Sequence, residues 1–112
     1  MRIYVAGPLT APPLGYIRNL ATMCAVAIRL WRMGHVPFVP GLDFLLCFAS
    51  AFSEPLSLAE VREWNMQWLT TCQGVYVIAH SPGVDAEVER AQQLGIPVWH
   101  SFEDVPAPEV AR

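Results

Sequence analysis

The chain contains no lysine: all seven of its basic residues are arginines, scattered from Arg2 to Arg112 without a cluster. A protein that grips nucleic-acid phosphates needs a basic stripe, so a nucleic acid polymer is not an expected partner. Charge of either sign is scarce, 15% of 112 residues against 54% hydrophobic, with a net charge of -3. That balance excludes an intrinsically disordered chain and predicts that some apolar surface meets another subunit. No apolar run approaches the length that crosses a bilayer, and the Met-Arg-Ile start lacks the long apolar segment of a signal peptide. The expectation is a cytoplasmic protein with no membrane partner, folded as a single domain over residues 1–112.

Metal and redox signatures are missing as well. The cysteines, Cys24, Cys47 and Cys72, form no CxxC pair and are odd in number, which reads as reduced, packed thiols. His35, His80 and His100 share no ligand spacing with one another or with a cysteine, so no metal site is expected. No GxGxxG or Walker pattern occurs.

What is present is alternation. Arg2-Ile-Tyr-Val-Ala6 is a short β-prone run stopped by Gly7-Pro8. Leu14 to Met33 reads as a helix ended by Gly34, and Val36 to Val39 as a second strand closed by Pro40-Gly41. The apolar segment from Leu42 to Phe52 has no periodicity that separates a short helix from a packed loop. Ser57 and Glu60 form a capping-box pattern that opens a helix over 58–72. Then come a strand at Val75 to Ala79, a turn at Ser81-Pro-Gly83, a helix at Val84 to Leu94, a last short strand at Pro97 to Trp99, and a tail. Strands spaced by helices predict a parallel sheet covered on both faces. The fold class is α/β, a Rossmann-like (flavodoxin-like) three-layer sandwich with about four to five strands, and ligands in such folds sit beyond the carboxyl ends of the strands.

Helical wheels single out polar residues on apolar arcs. In the helix from Val84, Val84, Val88, Ala91, Leu94 and Gly95 share one arc and Glu87 falls inside it, whereas Glu89 faces solvent. A carboxylate in a first turn is stabilised by the macrodipole, which is the plain structural account of Glu87. A carboxylate on the sheet-facing arc at a strand's carboxyl end is also where an active-site group sits, and this second account is favoured. In the helix from Leu58, the arc of Leu58, Val61, Trp64, Trp68, Leu69 and Cys72 has Asn65 near its centre. Asn65 is either a core amide bonded to backbone or a group aimed at a ligand hydroxyl; Trp64 and Trp68 read as packing. The first helix is apolar on two sides, so it needs two partners, the sheet and an equivalent helix of a second subunit. Ser81 either caps its helix or holds an anion beside Gly83 at the helix N-terminus.

Tyr4-Val-Ala-Gly-Pro8, the Asn65 helix and Ser81-Pro-Gly-Val-Asp-Ala-Glu87, followed by Ala91 and Gly95-Ile-Pro97, resemble the nucleoside 2-deoxyribosyltransferase-like superfamily over nearly the whole chain. The resemblance is closest to its short members, the nucleoside 5'-monophosphate N-glycosidases. It implies that Glu87 is a nucleophile toward the sugar's anomeric carbon, that Ser81 helps hold a 5'-phosphate, and that Tyr4 lies beside the nucleophile. With these go Gly7, Pro8, Leu9 and Gly83 as substrate-binding positions, and no metal or cofactor. Asn65 stands where the family usually carries an aspartate that binds a sugar hydroxyl and moves a proton, and Gln73 replaces a common acidic residue. The implied substrate is a nucleotide or nucleoside and the implied assembly a homodimer or higher homo-oligomer. Two functions follow: N-glycosidase or deoxyribosyltransferase chemistry, or nucleotide binding with weak or no turnover. As a nucleophile Glu87 should be ionised, a form its helix N-terminus favours.

Overall fold

A computed structural model of the chain describes residues 1–8, 13–40, 50 and 52–108. Four strands, β1 (Arg2–Ala6), β2 (Val36–Phe38), β3 (Gly74–Val77) and β4 (Val98–Trp99), form one sheet in the order β2-β1-β3-β4, all parallel. Among the described residues three α-helices connect them, α1 (Pro13–Arg32), α2 (Leu58–Thr70) and α3 (Pro82–Gln93). The fold is the expected α/β sandwich with four strands; most of the Leu42 to Phe52 segment lies outside the described residues.

Strand alternation sorts the core into two layers. Ile3, Val5 and Tyr76 point to the side of α1, where they pack with Met23, Ala27 and Leu30. Tyr4, Ala6, Val75 and Val77 point the other way, onto Leu69 and Cys72 at the end of α2 and Val84 and Ala91 of α3. Every other residue of β1 therefore faces the α2–α3 side, and this puts Tyr4 there. The chain leaves β1 toward β2 and leaves β3 toward β4, so the strand order reverses between β1 and β3. The carboxyl ends of those two strands flank the crevice in which doubly wound folds place their ligands.

Gly34 ends its helix as read from the sequence, and Gly95, placed there on the apolar arc, ends α3 in the same way. Gly34 and Gly95 have φ of 103° and 71°, and each closes its helix with a pair of reversed bonds. These are His35 N–H to the Leu30 carbonyl with Gly34 N–H to that of Trp31, and Ile96 N–H to that of Ala91 with Gly95 N–H to that of Gln92. The Ser57–Glu60 capping box is formed in both directions. Gly74 is required for another reason: a Cβ there would overlap the Trp99 ring, which lies across it and seats β4 against β3.

Two expectations need correction. Residues after β4 are not a free tail: a short 3-10 turn at Phe102–Asp104 brings Phe102 onto Tyr76 with ring centroids 4.9 Å apart, and Val105 is buried. The buried ring of His35 ties this segment down, its Nε2–H donating to the Pro106 carbonyl (3.0 Å) while Nδ1 accepts from the Met1 amine (3.0 Å). The apolar arc drawn on α2 is also too wide. Val61 and Leu69 are buried, but Leu58, Trp64 and Trp68 are 62%, 47% and 48% exposed.

Candidate active site

A cavity of about 260 Å³ opens between β1, α2 and α3. Its inner wall is Tyr4, Asn65, Met66 and Glu87, all buried or half-buried, and its mouth is made by the exposed Arg62, Pro82, Gly83 and Ala86. Each contribution follows from local geometry. Tyr4 is fully buried on the α2–α3 face of β1, held by Phe38 of β2 (centroids 5.6 Å apart), which in turn stacks on Trp68 (5.4 Å, 22°). Arg62, Asn65 and Met66 are one helical turn apart and share a side of α2. Gly83 and Glu87 are likewise a turn apart on α3, which begins where β3 has delivered the chain to the crevice.

Glu87 is the electrostatic centre of this cavity. Its Oε2 is shut off from water. Burial pushes its carboxyl up to about 7 from an ordinary 4.5, and the nearby Tyr4 hydroxyl, by hydrogen bonding to the charged form, pulls in the opposite direction without winning. This corrects the expectation that the helix N-terminus keeps Glu87 ionised. The helix starts at Pro82, so Glu87 is its sixth residue and lies past the first turn, where the dipole has faded. The same shift of register removes the macrodipole as the reason for a carboxylate here. Glu89, two residues on, is exposed.

Of the positions expected to form the site, the structure gathers Tyr4, Asn65, Gly83 and Glu87 around one cavity. The missing Cβ of Gly83 leaves open space at the mouth, with only Ser81 Oγ within 4.0 Å of where it would stand. Ser81 is not on the wall; its Oγ accepts from Val84 N–H at 3.2 Å as the N-cap of α3. Pro82 has no N–H and the Asp85 N–H goes to the Ser81 carbonyl (2.8 Å), so the first turn keeps only the Gly83 amide for an anion. Gly7 instead faces α1, where a Cβ would press on Met23 Cγ at 3.3 Å, and Pro8 is not among the lining residues. Leu9 lies outside the described residues.

Sequence reasoning missed Arg62. It supplies the only cationic side chain among the described lining residues, at the exposed mouth of the cavity. The signal that could have found it is its spacing of three from Asn65. Among the described residues no group of three or more His, Cys, Asp and Glu side chains is arranged to hold a metal ion. No described helix is long and apolar enough to cross a membrane. No family model, curated protein or solved structure matches the chain.

Proposed function

We propose that this chain is an N-glycosidase or deoxyribosyltransferase that cleaves the base–sugar bond of a nucleoside 5'-monophosphate or related nucleoside through Glu87. The observation that carries the reading is Glu87 itself, a carboxylate walled in with Tyr4 and Asn65 at the reversal of strand order. A carboxylate shielded from water on one side and open to a small cavity on the other is suited to attack carbon rather than to remain solvated.

In this reaction the ionised Glu87 attacks the anomeric carbon as the C–N bond breaks and the base leaves with the bonding electrons. A glycosyl ester forms; water or a second base then attacks the same carbon, releases the sugar and regenerates the carboxylate. Asn65 would bond a sugar hydroxyl. Its amide cannot act as a general acid, so the departing base takes its proton from solvent or carries one already. A second reading, nucleotide binding with weak or no turnover, is favoured by that same asparagine. The large apolar residues exposed along α1, Ile17 (63%) and Ile28 (52%), support assembly as a homodimer or higher oligomer.

Incubation with a panel of nucleoside 5'-monophosphates and nucleosides, followed by chromatography for free base, tests the proposal. Release by the wild type that disappears in Glu87→Gln and persists in Glu89→Gln is the expected result. Tight nucleotide binding with no base release would establish the second reading, and neither binding nor release would reject both.

A further inference from the structure

Two histidines 20 residues apart in the chain meet at the carboxyl edge of the sheet. His80 follows β3 and immediately precedes the Ser81 cap, and His100 directly follows Trp99, the last residue of β4. The two strands are parallel neighbours with Tyr76 paired to Trp99, so both deliver their histidines to the same edge. The two Nε2 atoms stand 3.0 Å apart, with ring centroids at 5.2 Å and an interplanar angle of 31°. On the other side of His80, Nδ1 lies 2.7 Å from Asp85 Oδ1. An ionised carboxylate only accepts, so in the neutral His80 ring the proton sits on Nδ1 and the Nε2 lone pair is turned toward His100.

We propose that His80 and His100 form a two-histidine site for a late first-row divalent transition metal ion such as Zn²⁺, with Asp85 as the residue that orients His80. Nitrogen ligands at about 2.0–2.1 Å from one ion, at angles between a right angle and the tetrahedral value, are roughly 2.8–3.4 Å apart. The Nε2 separation falls within that range. A carboxylate on the far nitrogen of a ligating imidazole fixes its tautomer and raises its basicity. Imidazole donors suit zinc, nickel and copper and not magnesium or calcium, which take oxygen.

Without an ion the rings are joined by one proton, donated from His100 Nε2 to the His80 Nε2 lone pair. When the ion binds to one side of the Nε2–Nε2 line, that proton is carried by His100 Nδ1 instead, so both rings remain neutral and both Nε2 atoms become donors. The pair is partly held before binding: the short Asp85 bond holds one ring, and the Trp99 ring, lying over Gly74, holds the strand that carries the other; the rings now meet nearly head-on, and they turn so that both Nε2 lone pairs meet at the ion. The His80 side chain is 51% exposed, which leaves the remaining coordination positions to water or an anion. Neither histidine lines the Glu87 cavity, so the site stands apart from the glycosidic chemistry proposed above.

Calorimetric titration of the untagged full chain with ZnCl₂ and with NiCl₂, in a buffer that does not chelate, tests this. Saturable binding of one ion per chain is expected, with none for MgCl₂. His80→Ala and His100→Ala should each weaken it at least tenfold, Asp85→Asn by about 10- to 100-fold, and Glu89→Gln not at all. Circular dichroism reports whether each variant is folded; if the loss of the Asp85 link unfolds His80→Ala, the exposed His100→Ala alone decides. No saturable binding at millimolar ZnCl₂, or full affinity in folded His100→Ala, overturns the proposal.

Discussion

The hydroxyl of Tyr4 acts on the carboxyl of Glu87 against burial: burial disfavours the charge on Glu87, and the hydrogen bond from Tyr4 favours it. Removing only that hydroxyl should therefore push the carboxyl above about 7. Tyr4→Phe keeps the ring against Phe38 and the fold. The acid limb of the pH–rate profile, or the carboxyl resonance of Glu87 followed by NMR, should move to higher pH by roughly one pH unit. An unmoved midpoint would detach Tyr4 from the site.

Glu87 also makes the protein less stable than it could be, and in a pH-dependent way. Its carboxyl is raised from 4.5 to about 7 on folding, so its contribution is fully present below 4.5 and is lost as pH rises through about 7. Glu87→Gln carries no charge to bury. At pH 8 it should be more stable than the wild type by up to about 3 kcal/mol in urea titrations, with little difference at pH 4.5 and no base release. Glu89→Gln should change neither quantity.

His35 gives the opposite slope. Burial first, then the nearby Met1 amine, lowers its pKa below 6.5, while its bond to Pro106 works the other way. The folded state resists a proton that the unfolded chain accepts, so this contribution is complete above 6.5 and is lost as pH falls below it. His35→Gln should flatten that acid limb and free the segment after β4. The check is denaturation at pH 7 and pH 5, with amide exchange over residues 101–108.

How much of this could be read from residues alone depended on whether the deciding contacts were local. The strand Arg2–Ala6, the glycine stop at 34 and the Ser57 box are local, and all were legible. Glu87 was legible as an exception on a wheel, since a carboxylate among Val84, Val88 and Ala91 contradicts its neighbours. Its charge state was not: the N1 preference of Pro82 moved the helix start by two residues and took Glu87 out of the first turn. Arg62 was hidden because an arginine on an exposed helix face looks like solvation until α3 is brought alongside. His80 and His100 were hidden because a spacing of 20 has no meaning until β3 and β4 pair.

Ile17 and Ile28, about three helical turns apart and so on one face of α1, are both more than half exposed although Met23, Ala27 and Leu30 of the same helix are buried. Two apolar sides on one helix call for two partners. Light scattering at micromolar concentration should give the mass of at least two chains, and Ile28→Arg should reduce it. A monomeric wild type would assign that face some other role.

Asn65→Asp tests the division between slow enzyme and binding protein. It places a second carboxyl in the cavity that already holds Glu87, with almost no change of side-chain shape. Two carboxyls in one poorly hydrated cavity do not both ionise at neutral pH; they titrate as a pair and share a proton over a range that includes 7. One then serves as the nucleophile and the other offers the departing base the proton that asparagine cannot give. If protonation of the leaving base limits turnover, base release should rise by about 10²-fold or more with nucleotide affinity nearly unchanged. A folded Asn65→Asp with no gain in rate would mean that protonation of the leaving base does not limit turnover and that the amide serves the ligand or the core.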